Sequence, residues 1–272
     1  MVRGQSEFLD LYELLEATYA QKKVNQSDPI IHLGDEYLGR ASKQLKEIGL
    51  PENAWFVGLH IRNEGPSHLR RNQPDSSFKD AVDLVASMGG WIIRIGDITM
   101  SKFPPTKNLV DLSQIPGSEF LHSYVLAKAK FLIGTTSGPT WVAPLFGTPV
   151  LVTNTTSIAR NTHTMSENSF FLPKHIQSDK REWTFEEILH HTEGYAEDDF
   201  MPGDRNYSFK SNSALEIKNA VQEMFLKLEG IQNSNKKEFS DRISQIRSQA
   251  NAIGQGELSY TFIENLEINY LN

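Results

Sequence analysis

Through the middle of the chain, short apolar runs alternate with amphipathic stretches. Residues 54–61, 91–95, 109–110, 131–133 and 150–153 are short, mostly apolar runs, interrupted only by Gly58, His60 and Arg94 and edged by polar or small residues. Runs this short, without apolar–polar alternation, suit strands buried on both faces. Between them, residues 76–88, 118–130 and 140–146 carry helical spacing. Ser76 or Ser77 is placed to cap the first of these helices, and Gly89-Gly90 to end it. Strands alternating with helices predict an α/β fold: a Rossmann-like parallel sheet with helices on both faces.

The flanks read differently. Phe8, Leu9, Leu11, Tyr12, Leu14 and Leu15 predict a helix over 8–20; a polar stretch with an Asp28-Pro29 turn follows. Residues 36–48 predict a second helix, ended by Gly49 and Pro51. Beyond residue 156 the chain is polar and loop-like, with Phe170-Phe171-Leu172 as a last strand and a short helix over 184–191. Ser213 followed by Glu216 forms a helix-start signature for a helix reaching Leu228. Helical stretches over 237–252 and 257–269 close the chain. The expected organisation is a helical segment over 1–50 and a Rossmann-like domain with C-terminal helices over 51–272.

Composition narrows the function classes. Hydrophobic residues make up 39% of the 272, enough for a packed core. No run approaches the roughly 20 apolar residues of a membrane span, and the first residues do not read as a signal-peptide core. There is no cysteine, which excludes disulfides and thiolate metal sites and suits a reducing compartment, so a cytoplasmic location is expected. A net charge of −7 without a basic block disfavours nucleic acid, yet leaves room for a local pocket that takes a phosphorylated small molecule. The Asn-x-Ser/Thr triplets at Asn25, Asn154 and Asn206 read as chance.

Candidate chemistry gathers at the ends of the predicted strands, where ligands bind in open parallel sheets. Gly134-Thr135-Thr136-Ser137-Gly138-Pro139 joins a strand to a helix. Its glycines let backbone approach a ligand, its hydroxyls suit phosphate or sugar oxygens, and a helix start attracts an anion. An ordinary tight turn with a Ser/Thr cap explains the same residues. Neither a Walker loop nor a Gly-x-Gly-x-x-Gly fingerprint is present. At the end of the first strand, His60 and Arg62 share a face. An Arg fork there suits a diphosphate, with His60 to donate to the sugar or phosphate, Glu64 to orient Arg62 or accept a proton, and Arg70 and Arg71 adding charge. A plain Arg62–Glu64 ion pair is the alternative. Arg94, Gly96 and Asp97 end the second strand and Asp111 the third; each acid is a cap or a ribose contact, with a cap favoured for Asp97. Trp141 and Phe146 read as core, and His190-His191 as surface.

The order of these motifs, together with Phe146-Gly147-Thr148-Pro149 and Asn154, resembles a family of bacterial glycosyltransferases. That family is similar to the GT-B transferases that include the α-1,6- and protein O-fucosyltransferases, whose hallmark is His-x-Arg-Arg. The resemblance covers about residues 30–230. It implies that the domain is the nucleotide-sugar-binding half of such an enzyme. Arg62 would then contact the diphosphate and stabilise the leaving group, Thr136 and Ser137 would bind phosphate oxygens, and Asp97 and Asn154 would face the nucleoside or line the cleft. Asn63 stands where the hallmark has its second Arg. A GT-B enzyme also has two Rossmann-like halves and only one is evident. The chain is therefore expected to be a piece or remnant of such an enzyme, or to have its acceptor side supplied by a partner domain or a second copy. No Asp-x-Asp occurs, so the expected activity is metal-independent glycosyl transfer, with no cofactor beyond the nucleotide diphosphate sugar and an unspecified glycan or other acceptor. The competing readings are a nucleotide-sugar-binding module without transfer and a phosphosugar enzyme such as an epimerase.

Overall fold

A computed structural model describes residues 2–4, 7–9, 29–62, 72–156, 168–178, 181–184, 187–188, 207–231, 241 and 256–262. The predicted strands form. β1 (Val2–Gly4) and β2 (Glu7–Leu9) make an antiparallel pair. β3 (Phe56–His60), β4 (Trp91–Arg94), β5 (Leu109–Asp111), β6 (Leu132–Thr135), β7 (Val150–Thr155), β8 (Phe170–Pro173) and β11 (Glu257–Leu258) make one seven-stranded sheet, parallel throughout. β9 (His175–Ser178) and β10 (Tyr207–Lys210) pair antiparallel beside it.

The strand order is β11-β8-β7-β6-β3-β4-β5. Counted from β3, the first six strands read 3-2-1-4-5-6, the doubly wound Rossmann order. Chain direction across the sheet therefore reverses between β3 and β6. Helices cover both faces. α1 (Asp35–Ile48), α3 (His122–Lys128) and the 3-10 turn Ala143–Phe146 pack together on one side, and α2 (Lys79–Ser87) packs with α5 (Ala214–Leu228) on the other. Burial from both sides explains the mostly apolar runs: Val57, Leu59, Ile92, Ile93, Leu132, Ile133, Leu151 and Val152 are wholly buried.

Local signals act as expected at several ends. Gly49, at φ 117°, closes α1 in the left-handed conformation. Ser213 Oγ accepts from Glu216 N, and the Glu216 carboxylate returns to Ser213 N, a capping box that starts α5. Other expectations are corrected. Phe8 and Leu9 lie in a strand, because their pairing with Val2 and Arg3 outweighs a weak helical pattern; residues 10–28 lie outside the described set. Glu119–Leu121 wind as a 3-10 turn before α3. The helix expected over 140–146 is α4 (Gly138–Val142), five residues running into the 3-10 turn Ala143–Phe146. Glu257 and Leu258 extend the sheet rather than begin a helix. Residues 260–262 are helical as expected, while 263–269, most of 184–191 and nearly all of 237–252 lie outside the described residues. No described helix is long and apolar enough to cross a membrane.

Candidate functional site at the sheet reversal

The reversal point joins the two loops that sequence reasoning singled out. β3 and β6 pair with His60 opposite Gly134. Just past that pair, Arg62 N donates to Thr135 Oγ1 at 3.0 Å. His60 Nδ1 lies 2.9 Å from Ser137 Oγ, which is also 3.0 Å from the Thr135 carbonyl oxygen. Gly134 is needed here for packing. A Cβ on it would lie 2.4 Å from Thr140 Cγ2, so only glycine lets the turn fold back onto β6. Thr140 Oγ1 then donates to Ser137 O at 2.7 Å and accepts from Ser137 N at 3.3 Å.

This bonding limits the anion cradle. Ser137 N and Thr140 N both have acceptors within the turn, and Pro139 has no N–H. Gly138 N–H remains, at the first helical position, where the helix itself offers no acceptor. A Cβ on Gly138 would meet nothing within 4 Å, so the backbone is open to approach there. A five-residue helix also has little macrodipole. Thr136, beside this turn, is buried.

His60 is nearly buried, and its pKa is pushed down to about 4. Burial is the main cause; His122, Arg94 and Arg62 add positive charge, and Asp97 opposes them. His60 is therefore neutral at physiological pH. His122 is likewise held below its usual range, chiefly by burial, and its Nε2 is buried without a hydrogen-bond partner among the described residues. Arg62 is half-buried, its Nε donating to Asn72 Oδ1 at 3.3 Å. The Arg62 carbonyl accepts from Gln73 N at 2.7 Å. Gln73 is buried to 2% exposure, and neither end of its amide has a partner among the described residues. A buried amide unsatisfied at both ends is costly unless a polar group comes to it. Sequence reasoning missed Gln73 and His122; each sits in a polar stretch with no spacing signal.

Several predicted site residues serve the fold instead. Arg94 is fully buried. Its guanidinium forks onto Asp75 at 3.1 and 2.9 Å, reaches Asp111 Oδ2 at 3.0 Å and donates to Ser101 O at 2.7 Å. Asp111 also accepts from Ser113 N and its hydroxyl. These two residues, expected to touch the ligand, cement the ends of β4 and β5. Asn154 is buried at φ 56°, where the β7–β8 register shifts. It trades hydrogen bonds with Asn212: Asn154 N donates to Asn212 Oδ1 at 2.7 Å, and Asn212 N to Asn154 Oδ1 at 2.8 Å. The side chain expected in the cleft thus ties the sheet to the start of α5. Asp97 is exposed, and its Oδ1 accepts from Thr99 N and hydroxyl; the Thr99 hydroxyl is the main cause of its lowered pKa. Its observed role is the cap. Gly96 precedes it, packed against Met100. Glu64, Arg70 and Arg71 lie outside the described residues.

No protein-family model and no curated protein matches the chain. Among solved structures, one that matches is the crystal structure of the glycosyl transferase family 9 from Veillonella parvula DSM 2008. It is 16% identical with a TM-score of 0.37, and the match covers 47% of this chain and 38% of that one. The aligned part thus spans well under half of that protein's length. What the chain's own coordinates establish is a Rossmann-like α/β sheet with polar side chains gathered at its reversal point.

Proposed function

We propose that the protein binds a nucleotide diphosphate sugar at the β3/β6 reversal and transfers the sugar, without a metal, to a glycan or other acceptor. The observation that carries this reading is the junction itself. The Arg62 backbone N–H meets Thr135, and the His60 ring meets Ser137, across the two strands that flank a doubly wound sheet's ligand crevice. Arg62 supplies fixed positive charge for the departing diphosphate. Thr136 and the Gly138 amide face its oxygens, Ser137 between them holds His60, and Asp97, exposed at the end of β4, stands on the nucleoside side. The order of motifs resembling the fucosyltransferase-like GT-B enzymes supports the same assignment.

A second reading, binding without transfer, has one observation in its favour. Asp97, the candidate base after Glu64, is occupied by Thr99 and held below the usual carboxylate range, which makes it a poor base for an acceptor hydroxyl. The test is a thermal-shift screen against UDP-, GDP- and CMP-linked sugars and their free nucleotides, repeated with Arg62→Ala. One nucleotide class should stabilise the parent by about 2.7 kcal/mol at a hundredfold excess over Kd, and that gain should vanish in the variant. An equal response to every nucleotide, or to none, refutes the site. Sugar release or transfer with the stabilising donor then separates enzyme from binding module.

A further inference from the structure

Proton counting at Ser137 assigns a tautomer to His60. Ser137 Oγ has one proton and two close neighbours, the Thr135 carbonyl oxygen at 3.0 Å and His60 Nδ1 at 2.9 Å. A carbonyl only accepts. If Ser137 donates to His60, its oxygen faces the Thr135 carbonyl lone pair to lone pair at 3.0 Å. If Ser137 donates to Thr135, the imidazole contact survives only when His60 donates from Nδ1. The second arrangement alone makes both contacts hydrogen bonds. Thr140 does not relieve the choice, because its hydroxyl donates to Ser137 O at 2.7 Å and lies 3.4 Å from Thr135 O. A neutral imidazole has one N–H, so Nε2 is then a bare lone pair. That atom makes no hydrogen bond within the described structure.

We propose that Ser137 is a positioning residue that fixes His60 as the Nδ1–H tautomer, so that Nε2 accepts a hydrogen bond from a ligand hydroxyl and turns phosphate oxygens away. The hydroxyl half of this inference rests on the sugar-nucleotide reading above; the tautomer half does not. The surroundings keep the ring neutral. His122, Arg94 and Arg62 oppose a further positive charge, Asp97 alone favours one, and burial adds to the opposition. A phosphate oxygen at Nε2 would need a proton that the ring does not hold at neutral pH. The diphosphate is thereby directed to Arg62 and the Gly138 amide, and a sugar hydroxyl to His60. His60 then reads whether a sugar is attached, which a phosphate-binding histidine does not.

The full chain labelled with 15N is examined by long-range 1H–15N correlation at pH 7, with His60 assigned from its loss in His60→Gln. The expected result is an Nδ1-protonated, Nε2-bare ring. An Nε2–H ring or an imidazolium overturns the inference. Ser137→Ala removes the acceptor and should convert His60 to Nε2–H, while Ser137→Thr restores the parent tautomer. A serine with a purely structural role would leave the tautomer unchanged in Ser137→Ala. The unaltered signals of the other histidines show that the variants are folded. Affinities for UDP-glucose and GDP-fucose are then compared with those for UDP and GDP. Ser137→Ala should lower the preference for the sugar-bearing form roughly tenfold, the loss of one hydrogen bond, whatever it does to phosphate binding. An unchanged ratio overturns the hydroxyl assignment. If the tautomer is as stated and neither nucleotide pair binds the parent, the functional reading and the hydroxyl assignment fall together and the Ser137–His60 assignment stands. If a sugar nucleotide binds while the ring is Nε2–H, the inference falls and the functional reading stands.

Discussion

Replacing Arg94 with methionine separates a structural arginine from a ligand-binding one. The parent guanidinium has no exposed surface, and its partners' side chains, Asp75 and Asp111, are 7% and 14% exposed. Methionine fills most of the volume, so the cavity contribution is small. The two carboxylates left behind have little water and lose the guanidinium that both share. Breaking a buried ion pair from one side costs about 3–5 kcal/mol, and this arginine serves two acids. At roughly 2–4 °C per kcal/mol for a domain of this size, the melting temperature should fall by about 6–20 °C. Arg94→Lys keeps the charge but loses the fork onto Asp75, and should fall between parent and methionine.

The control is Asp75→Asn, Arg94→Met and Asp111→Asn combined. With all three charges gone, neither acid is buried as an ion without its guanidinium, so this variant should be more stable than Arg94→Met alone despite carrying more changes. Urea denaturation followed by circular dichroism measures each midpoint. The reasoning is refuted if Arg94→Met stays within about 1 kcal/mol of the parent yet loses affinity for the nucleotide that stabilises it. That outcome would return Arg94 to the crevice, where its position at a strand end first suggested it belonged.

Two further expectations concern His175 and Gly134. His175 is buried between Glu182 and Glu216, stacked on Phe262; burial lowers its pKa, but the two carboxylates outweigh burial and raise it to about 9. A folded-state pKa above the unfolded 6.5 means stability that is fully present below about pH 6.5 and lost as pH rises through 9, on the order of 2–3 kcal/mol. Urea midpoints from pH 6 to 10 should fall accordingly, and His175→Gln should flatten that slope; a parent midpoint that does not move contradicts the pairing. Gly134→Ala should cost about 1–3 kcal/mol by overpacking against Thr140, whereas Gly138→Ala, with open space around it, should leave the melting temperature nearly unchanged. Equal effects at the two positions would remove the packing explanation for Gly134.

The strands of the sheet and the start of α5 were legible in the sequence because their causes are local. Burial on both faces writes a continuous apolar run, and the box between Ser213 and Glu216 closes over three residues. Strand order was not legible, since crossovers and helix packing decide it. β11 is too short to outweigh the helical spacing that follows it. The candidate site shows the harder case. His60, Arg94, Asp111 and Asn154 all look alike in sequence: polar residues at the ends of apolar strands. Their fates depend on distant partners, Asp75 for Arg94 at a separation of 19 residues and Asn212 for Asn154 at 58. A parallel sheet needs polar groups at its carboxyl edge twice over, once to tie loops to strands and once to meet a ligand. A side chain whose hydrogen-bonding capacity is filled by the protein serves the first need. Among the described residues, the side-chain groups left with capacity at this edge include His60 Nε2, the Gln73 amide and His122 Nε2, alongside the Gly138 N–H. His60 was the only one of these three side chains to carry a sequence signal. The other two become visible only once burial and partnership are known, and together they mark where a polar ligand would gain most from entering.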